Sequence, residues 1–284
     1  YLKESRQFGA QRRASEGKAA EIALVNLSVR AGFADVTRLK LRMESCMAKA
    51  YASYMDWKTV EDLELRLHIG ENGKSEIQCQ KNGKVLKSLP SRVGKNPYVL
   101  EVKEANKKLK DQYSRARKMM EESMESGAEF LAGEIASLWE NPVVKAILQS
   151  LVFVSGKQTG MFVSENGGYY LENYEGQKKK ISEETSLRIA HPLDLYQLEI
   201  WHEYQKYLFE HEICQPFKQV FRELYVKLPE EMGLRYSRMF AGNQIQPQKT
   251  VGCLKSRRWI ADYEEGLQKV YYKENIIARI YALA

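Results

Sequence analysis

An α+β fold is predicted by three features of the sequence. Residues 60–88 alternate apolar and polar side chains with the period of strands. Residues 151–190 are short strand-like runs cut by Gly and Asn turns, and both stretches lead into helix-period sequence. Ahead of them, residues 12–54 have the apolar spacing of a helical hairpin. The expected architecture is therefore two small antiparallel β-meanders, each followed by helices, with the hairpin at the N-terminus. Punctuation at Pro90 and Gly94 divides it into 1–92 (hairpin and first meander) and 93–284 (the remainder).

The first helix, 12–31, puts Ala19, Ile22, Ala23 and Leu27 on one face and stops at Gly32. Asp35 can cap a second helix that runs to Tyr54. Leu63, Leu65, Leu67 and Ile69 then alternate with Glu64, Arg66 and His68, giving a strand with one wet face. Asn82-Gly83 is a two-residue hairpin turn, because both central positions need positive φ. A long helix is expected from about Pro97 to Ser126, with Val102, Ala105, Leu109, Ala116 and Met120 on its buried stripe. Gly127 breaks it, and residues 128–139 continue as an apolar helix. Asn141-Pro142 stops that helix and starts another, since Pro is tolerated at a first helical position. LVFVS, MFVSE, YYLEN and the Leu187/Ile189 alternation make the second meander of about four strands. Helices at 194–211 and 216–226 follow, then a short helix at Pro229, another within 249–259, and a final hairpin from residue 267.

The chain has 284 residues, of which 44% are apolar and 11% aromatic, enough for a sizeable core. A net charge of +7 permits an acidic or nucleic-acid partner without demanding one. No run reaches the roughly 18 apolar residues that span a bilayer; the best stretch, 143–154, is interrupted by Lys145, Gln149 and Ser150. Four scattered cysteines (Cys46, Cys79, Cys214, Cys253) fit a reducing cytoplasm better than a disulfide framework. Residue 1 is Tyr, so the chain reads as an internal piece of a larger polypeptide, whose other segments would be its first partners.

The densest set of unusual polar residues lies in 186–225. On a helix over 216–226, Phe217, Val220, Phe221 and Leu224 form the apolar stripe, while Gln219 and Glu223 share another face with Arg222 beside them. One reading has Gln219, Arg222 and Glu223 lining a cleft with His191, where the Arg fork holds an anion such as a phosphate. The commoner situation is structural: the same groups tie the helix to the strand ending at His191. Gln215 and Arg238 complete this candidate binding set. A second candidate surface is the long helix. Between 103 and 118 it carries Lys103, Lys107, Lys108, Lys110, Arg115, Arg117 and Lys118 against two acidic residues. With Lys178, Lys179 and Lys180 it could contact a phosphate backbone; the bland reading is a solvated helix face.

Several chemistries are disfavoured. His202 and His211 are nine residues apart and point to opposite helix faces, so they cannot share a metal. The cysteines show no zinc spacing, and no G-x-S-x-G elbow accompanies Cys214 or a serine. The Gly-rich stretches at 70–73, 156–160 and 166–168 lie between strands and are hairpin turns rather than phosphate loops. No metal, cofactor or catalytic group is expected.

The residues His191-Pro192, Trp201, Gln215-Pro216-Phe217, Gln219, Arg222-Glu223 and Tyr225 resemble domain-of-unknown-function family 4132. So do Arg238, Phe240, Gly242 and Trp259, and upstream KSLP (87–90) and NPVVKAILQSLVF (141–153). The similarity spans roughly residues 87–265. Arg258 stands where the family tends to have Gly, and Phe153 where it often has Trp. The resemblance implies the C-terminal domain of bacterial proteins sometimes called molybdate-metabolism regulators. Some of these carry an N-terminal module of the WGR type, similar to a DNA-contacting module of poly-ADP-ribose polymerases. The family's activity is unassigned, so the resemblance bears on fold. Two function classes follow: a binding or regulatory module whose partner is nucleic acid or protein, and part of an enzyme with an anion cleft at His191, Gln219, Arg222 and Glu223.

Overall fold

The computed structural model describes residues 51–139, 141–257, 259–262, 266–271 and 276–281. The expected N-terminal hairpin lies outside these residues, apart from a 3-10 turn at Ala52–Tyr54. Two compact units are present, one running through Arg222 and one from Glu223 onward. The boundary expected after residue 92 falls inside the first unit.

The first unit opens with a four-stranded antiparallel meander: β1 (Lys58–Val60), β2 (Leu63–Ile69), β3 (Ser75–Lys81) and β4 (Lys84–Leu86). Leu63, Leu65 and Leu67 point inward, as their alternation requires. Asn82 and Gly83 have φ of 49° and 77° at the β3–β4 turn. Helix α1 (Pro97–Ser126) starts where the Asn96 side chain accepts from the Tyr98 N–H, and ends on Gly127 in the left-handed region. Its first half packs Val99, Val102, Ala105 and Leu109 on this sheet. Its second half packs Ala116, Met120 and Met124 into a separate core. One helix thus seals two cores, which is why its apolar stripe runs its whole length.

The second core lies against a six-stranded antiparallel sheet ordered β5-β10-β6-β7-β8-β9. The strands are β5 (Glu129–Leu131), β6 (Val152–Ser155), β7 (Gln158–Glu165), β8 (Gly168–Glu172), β9 (Lys178–Ile181) and β10 (Ser186–Ile189). Strands β6 to β8 follow the expected meander, but the next strand in it is β9; the Leu187/Ile189 strand expected there, β10, returns past the meander to lie between β5 and β6. The helix expected over 128–139 needs correction. Phe130 pairs with Leu187 in the sheet, and helix α2 covers only Ala132–Leu138. Pairing with a strand far along the chain overrides the local helical spacing.

Helices α1, α2 and α3 (Pro142–Leu148) serve one side of this sheet, where Phe153, Phe162 and Leu187 are buried. Helices α4 (Pro192–Gln197) and α5 (Trp201–Glu210) serve the other, with Val152, Val154 and Tyr204. Strand β6 is covered on both faces, so its sequence is a continuous apolar run.

Two further expected helices do not form as their spacing predicts. The helix over 194–211 is broken between α4 and α5, where Glu199 takes φ 61°. The helix over 216–226 does not form; the segment is a series of bends and turns. Phe217 enters the core beneath α1 and Val220 the core beneath α5. Residues three apart on a helix share a face, so a helix could not deliver these two side chains to different cores.

The second unit contains a 3-10 turn at Pro229–Glu231, helix α6 (Pro247–Ser256) and a three-stranded antiparallel sheet. Its strands are β11 (Ile260–Asp262), β12 (Gly266–Tyr271) and β13 (Ile276–Ile280). Among the described residues of this unit, none is fully buried. No helix among the described residues is long and apolar enough to cross a membrane.

Candidate functional site

Gln219 is fully buried and sits where β6 begins and β10 ends. Its Oε1 accepts from the Val152 N–H at 3.0 Å and from Gln215 Nε2 at 2.7 Å. Its Nε2 donates to the Val152 carbonyl at 2.7 Å and to the Ala190 carbonyl at 2.9 Å. A primary amide offers two donors and two acceptor sites, and all four are used. The side chain acts as a one-residue extension of the β10 side of the ladder. Gln215 reinforces it by donating to the Ser150 carbonyl and accepting from the Val220 N–H. The Val220 carbonyl in turn receives Trp201 Nε1 at 2.7 Å from α5. A segment without regular structure is thereby held by side-chain amides instead of a backbone ladder.

Arg222 closes this segment. Its guanidinium donates to Glu125 at 3.0 Å and pairs with Glu121, two carboxylates four residues apart on α1. Its Nε donates to the Lys218 carbonyl at 2.9 Å. All three side chains of the ion pair are mostly shielded from solvent. The fork that an anion would need is therefore occupied by the protein's own carboxylates.

His191 caps α4. Its Nδ1 accepts from the Leu193 N–H at 3.2 Å, and its own N–H donates to Asp194 at 2.8 Å. Asp194 also takes a two-pronged pair from Arg188, at 2.5 and 2.8 Å. Burial pushes the imidazole below its ordinary value; Asp194 and Glu125 oppose that shift, while Arg222 and Arg188 add to it. His191 is thus neutral at pH 7 and serves as a cap acceptor.

The remaining members of the expected set, Glu223 and Arg238, belong to the second unit and are both exposed. The Arg238 N–H donates to Glu231 at 2.8 Å, and its guanidinium lies 5.7 Å from the Tyr236 ring. The expected cluster is therefore divided between the two units. Sequence reasoning singled out the two glutamines and Arg222 but missed their partners. Glu121 and Glu125, four apart at the acidic end of a basic helix, were the available signal for the Arg222 pair. Asp194, at the third helical position behind a His-Pro cap, was the signal for Arg188. Among the described residues, no three His, Cys, Asp or Glu side chains converge as metal ligands would.

The basic helix has a more definite layout than its sequence suggested. All seven cations are exposed. At 3.6 residues per turn, Lys103, Lys107, Lys110, Arg117 and Lys118 fall within about 100° of arc, with Ser114 in their midst. A row of Glu104, Asp111 and Glu122 separates them from Lys108 and Arg115, and Lys108 lies 3.8 Å from Glu104. Among the described residues Lys107, Lys110 and Lys118 have no acidic partner within 4.0 Å. Lys178, Lys179 and Lys180 sit on β9, the sheet edge farthest from the β10 strand that α1 touches. Lys178 is paired with Glu165 at 2.9 Å. Lysines on an edge strand discourage pairing with other chains.

The sequence model of a family described as Domain of unknown function (DUF4132) matches residues 83–259, from the β3–β4 turn to the threshold of β11. The chain belongs to this family. The DUF4132 match contains α1, the six-stranded sheet, and the Gln215–Arg222 segment with all its partners. A second model, Family of unknown function (DUF5724), matches residues 1–43, outside the described residues. No curated protein and no solved structure matches the chain. Membership in DUF4132 carries no assigned activity.

Proposed function

We propose that this chain is a non-catalytic binding module of a larger cytoplasmic protein, and that it takes nucleic acid on the exposed basic side of α1. The observation that carries this reading is the row of five cations on one side of a helix anchored along its length by two cores. Fixed cations in a line suit a partner with repeated negative charge, and releasing its counterions drives the binding. The polar segment at 215–222 argues against the enzyme alternative, because the Gln219 amide and the Arg222 fork are already taken up internally. Cys79, Cys214 and Cys253 are unpaired, which suits a reducing compartment. The WGR module and the bacterial regulators that the family resemblance implies point toward the same class of partner.

The test is a fluorescence-anisotropy titration of labelled 20-mer DNA or RNA, and of heparin, at low salt. Binding that weakens steeply with added salt and is lost in Lys107→Glu/Lys110→Glu/Lys118→Glu supports the reading. Failure to bind any of these polyanions at low salt ends it.

A further inference from the structure

We infer that the partner of α1 is a double-stranded nucleic acid, gripped by its phosphate backbone through Lys103, Lys107, Lys110, Arg117 and Lys118 alone. This rests on the reading above and specifies it.

Three features of the helix select a duplex over a single strand. Proteins that bind single strands supply aromatic side chains on which unstacked bases lie. The two aromatic residues of α1, Tyr98 and Tyr113, both pack against the first-sheet core, so its basic side offers no stacking platform. Single-strand sites are also grooves that follow a pliable backbone, whereas α1 presents a convex helix face held from behind by two cores. Finally, the acidic row of Glu104, Asp111 and Glu122 borders the stripe on one side and repels a chain that would wrap around the helix. What remains accessible is a line of cations that a rigid partner can meet edge-on, as a helix meets the walls of a groove.

The length of the row sets a footprint. Lys103 to Lys118 spans about 22 Å at 1.5 Å per residue, which corresponds to roughly six base pairs of duplex at 3.4 Å each. Beyond Lys118 the helix turns acidic at Glu121, Glu122 and Glu125, so the row is bounded at that end. Five phosphate contacts give a log K against log salt slope of about −4.5 on duplex DNA. All seven cations of the helix would give about −6.3 instead. The contacts are to phosphates only, so affinity is indifferent to base sequence.

The experiment uses the full chain, a 20-base-pair duplex of arbitrary sequence, one of its strands alone, and heparin, each titrated across a range of salt. The expected results are tighter binding to the duplex than to the single strand, and a slope near −4.5. Neutralising three contacts in Lys107→Gln/Lys110→Gln/Lys118→Gln should flatten the slope by about 2.7. Lys108→Gln, across the acidic row, should leave it unchanged. Ser114→Glu places an anion inside the stripe and should weaken binding about five-fold or more without altering the melting temperature. A single strand that binds as tightly as the duplex, or tighter, overturns the duplex assignment while leaving a polyanion site on α1. A Lys108→Gln effect equal to that of a stripe lysine overturns the one-sided contact set. Absence of binding to all three polyanions overturns both this inference and the reading beneath it.

Discussion

Gln219 shows how much one side chain can contribute when it replaces a stretch of backbone. Its four hydrogen bonds satisfy the Val152 N–H and the Ala190 carbonyl at the point where two strands separate. Gln219→Leu keeps approximate volume but strips partners from buried peptide groups, which is the expensive kind of loss. The expected destabilisation is about 2–4 kcal/mol, read as a lower urea midpoint with an unchanged slope. Gln219→Glu should be at least as damaging at neutral pH, because a carboxylate cannot donate to the two carbonyls. It should recover partly as the pH falls and the acid gains a proton. A midpoint indifferent to either change would mean that the segment is held by Phe217 and Val220 packing instead. His191 gives a second residue-scale prediction. Its folded pKa is depressed by burial, so the unfolded chain binds the proton more readily. Its contribution is complete above the unfolded value, near 6.5, and is lost as pH falls through the depressed folded value. The charged groups that bear on it are the carboxyls of Asp194 and Glu125 and the guanidiniums of Arg222 and Arg188. Thermal melting of the native chain should therefore weaken below about pH 6.5. His191→Asn keeps a cap acceptor without the titration, and it should flatten that part of the profile.

At the scale of elements, the tip of the β2–β3 hairpin is a joint sensitive to a single methyl group. Gly73 has φ 75°, and a Cβ there would lie 3.0 Å from the Ala146 side chain and 3.1 Å from the Val143 carbonyl on α3. Gly83, in the next hairpin, has φ 77° but open space around it. Gly83→Ala should cost only the backbone strain, about 1 kcal/mol. Gly73→Ala carries that strain together with displacement of α3, for a total of roughly 2–4 kcal/mol. Equal losses in denaturant melts would mean that the hairpin does not bear on α3. The elements also show what could be seen beforehand. The Leu63–Ile69 alternation, the Asn82-Gly83 turn and the Asn-Pro helix starts depend on neighbours in sequence, so they were legible. Phe130 and the 216–226 segment were not. Phe130 takes its conformation from Leu187, far along the chain. The spacing of Phe217, Val220, Phe221 and Leu224 mimics a helix, although the first two serve different cores. In the candidate set, residue types were legible but partners were not, because no local pattern says that Arg222 will find carboxylates a hundred residues upstream.

For the whole molecule, the decisive contrast is between the two units. The first holds every buried residue among those described, most of them in three cores, two of which share α1 and two the six-stranded sheet. The second is built from exposed and half-buried residues, and the stretch from Glu223 to Gln246 contains no regular element beyond one 3-10 turn. Proteases need several residues of extended, unpaired backbone, which a helix packed on a core supplies only after local unfolding. The lysines of α1 are exposed as side chains, but their peptide bonds lie within the hydrogen-bonded helix. Lys227, Arg235 and Arg238 lie in irregular chain, and the two arginines are exposed. Brief trypsin treatment under native conditions should therefore cut after Arg235 or Arg238 well before any site between Lys103 and Lys118. Intact-mass analysis should find a persistent product that retains α1, the six-stranded sheet and the Gln215–Arg222 segment. That product should melt cooperatively, since the three cores and the Arg222 pair with Glu121 and Glu125 remain within it. If α1 is cleaved first, the helix is not fixed by two cores, and the cationic row on which the proposed nucleic-acid binding rests would not persist in solution.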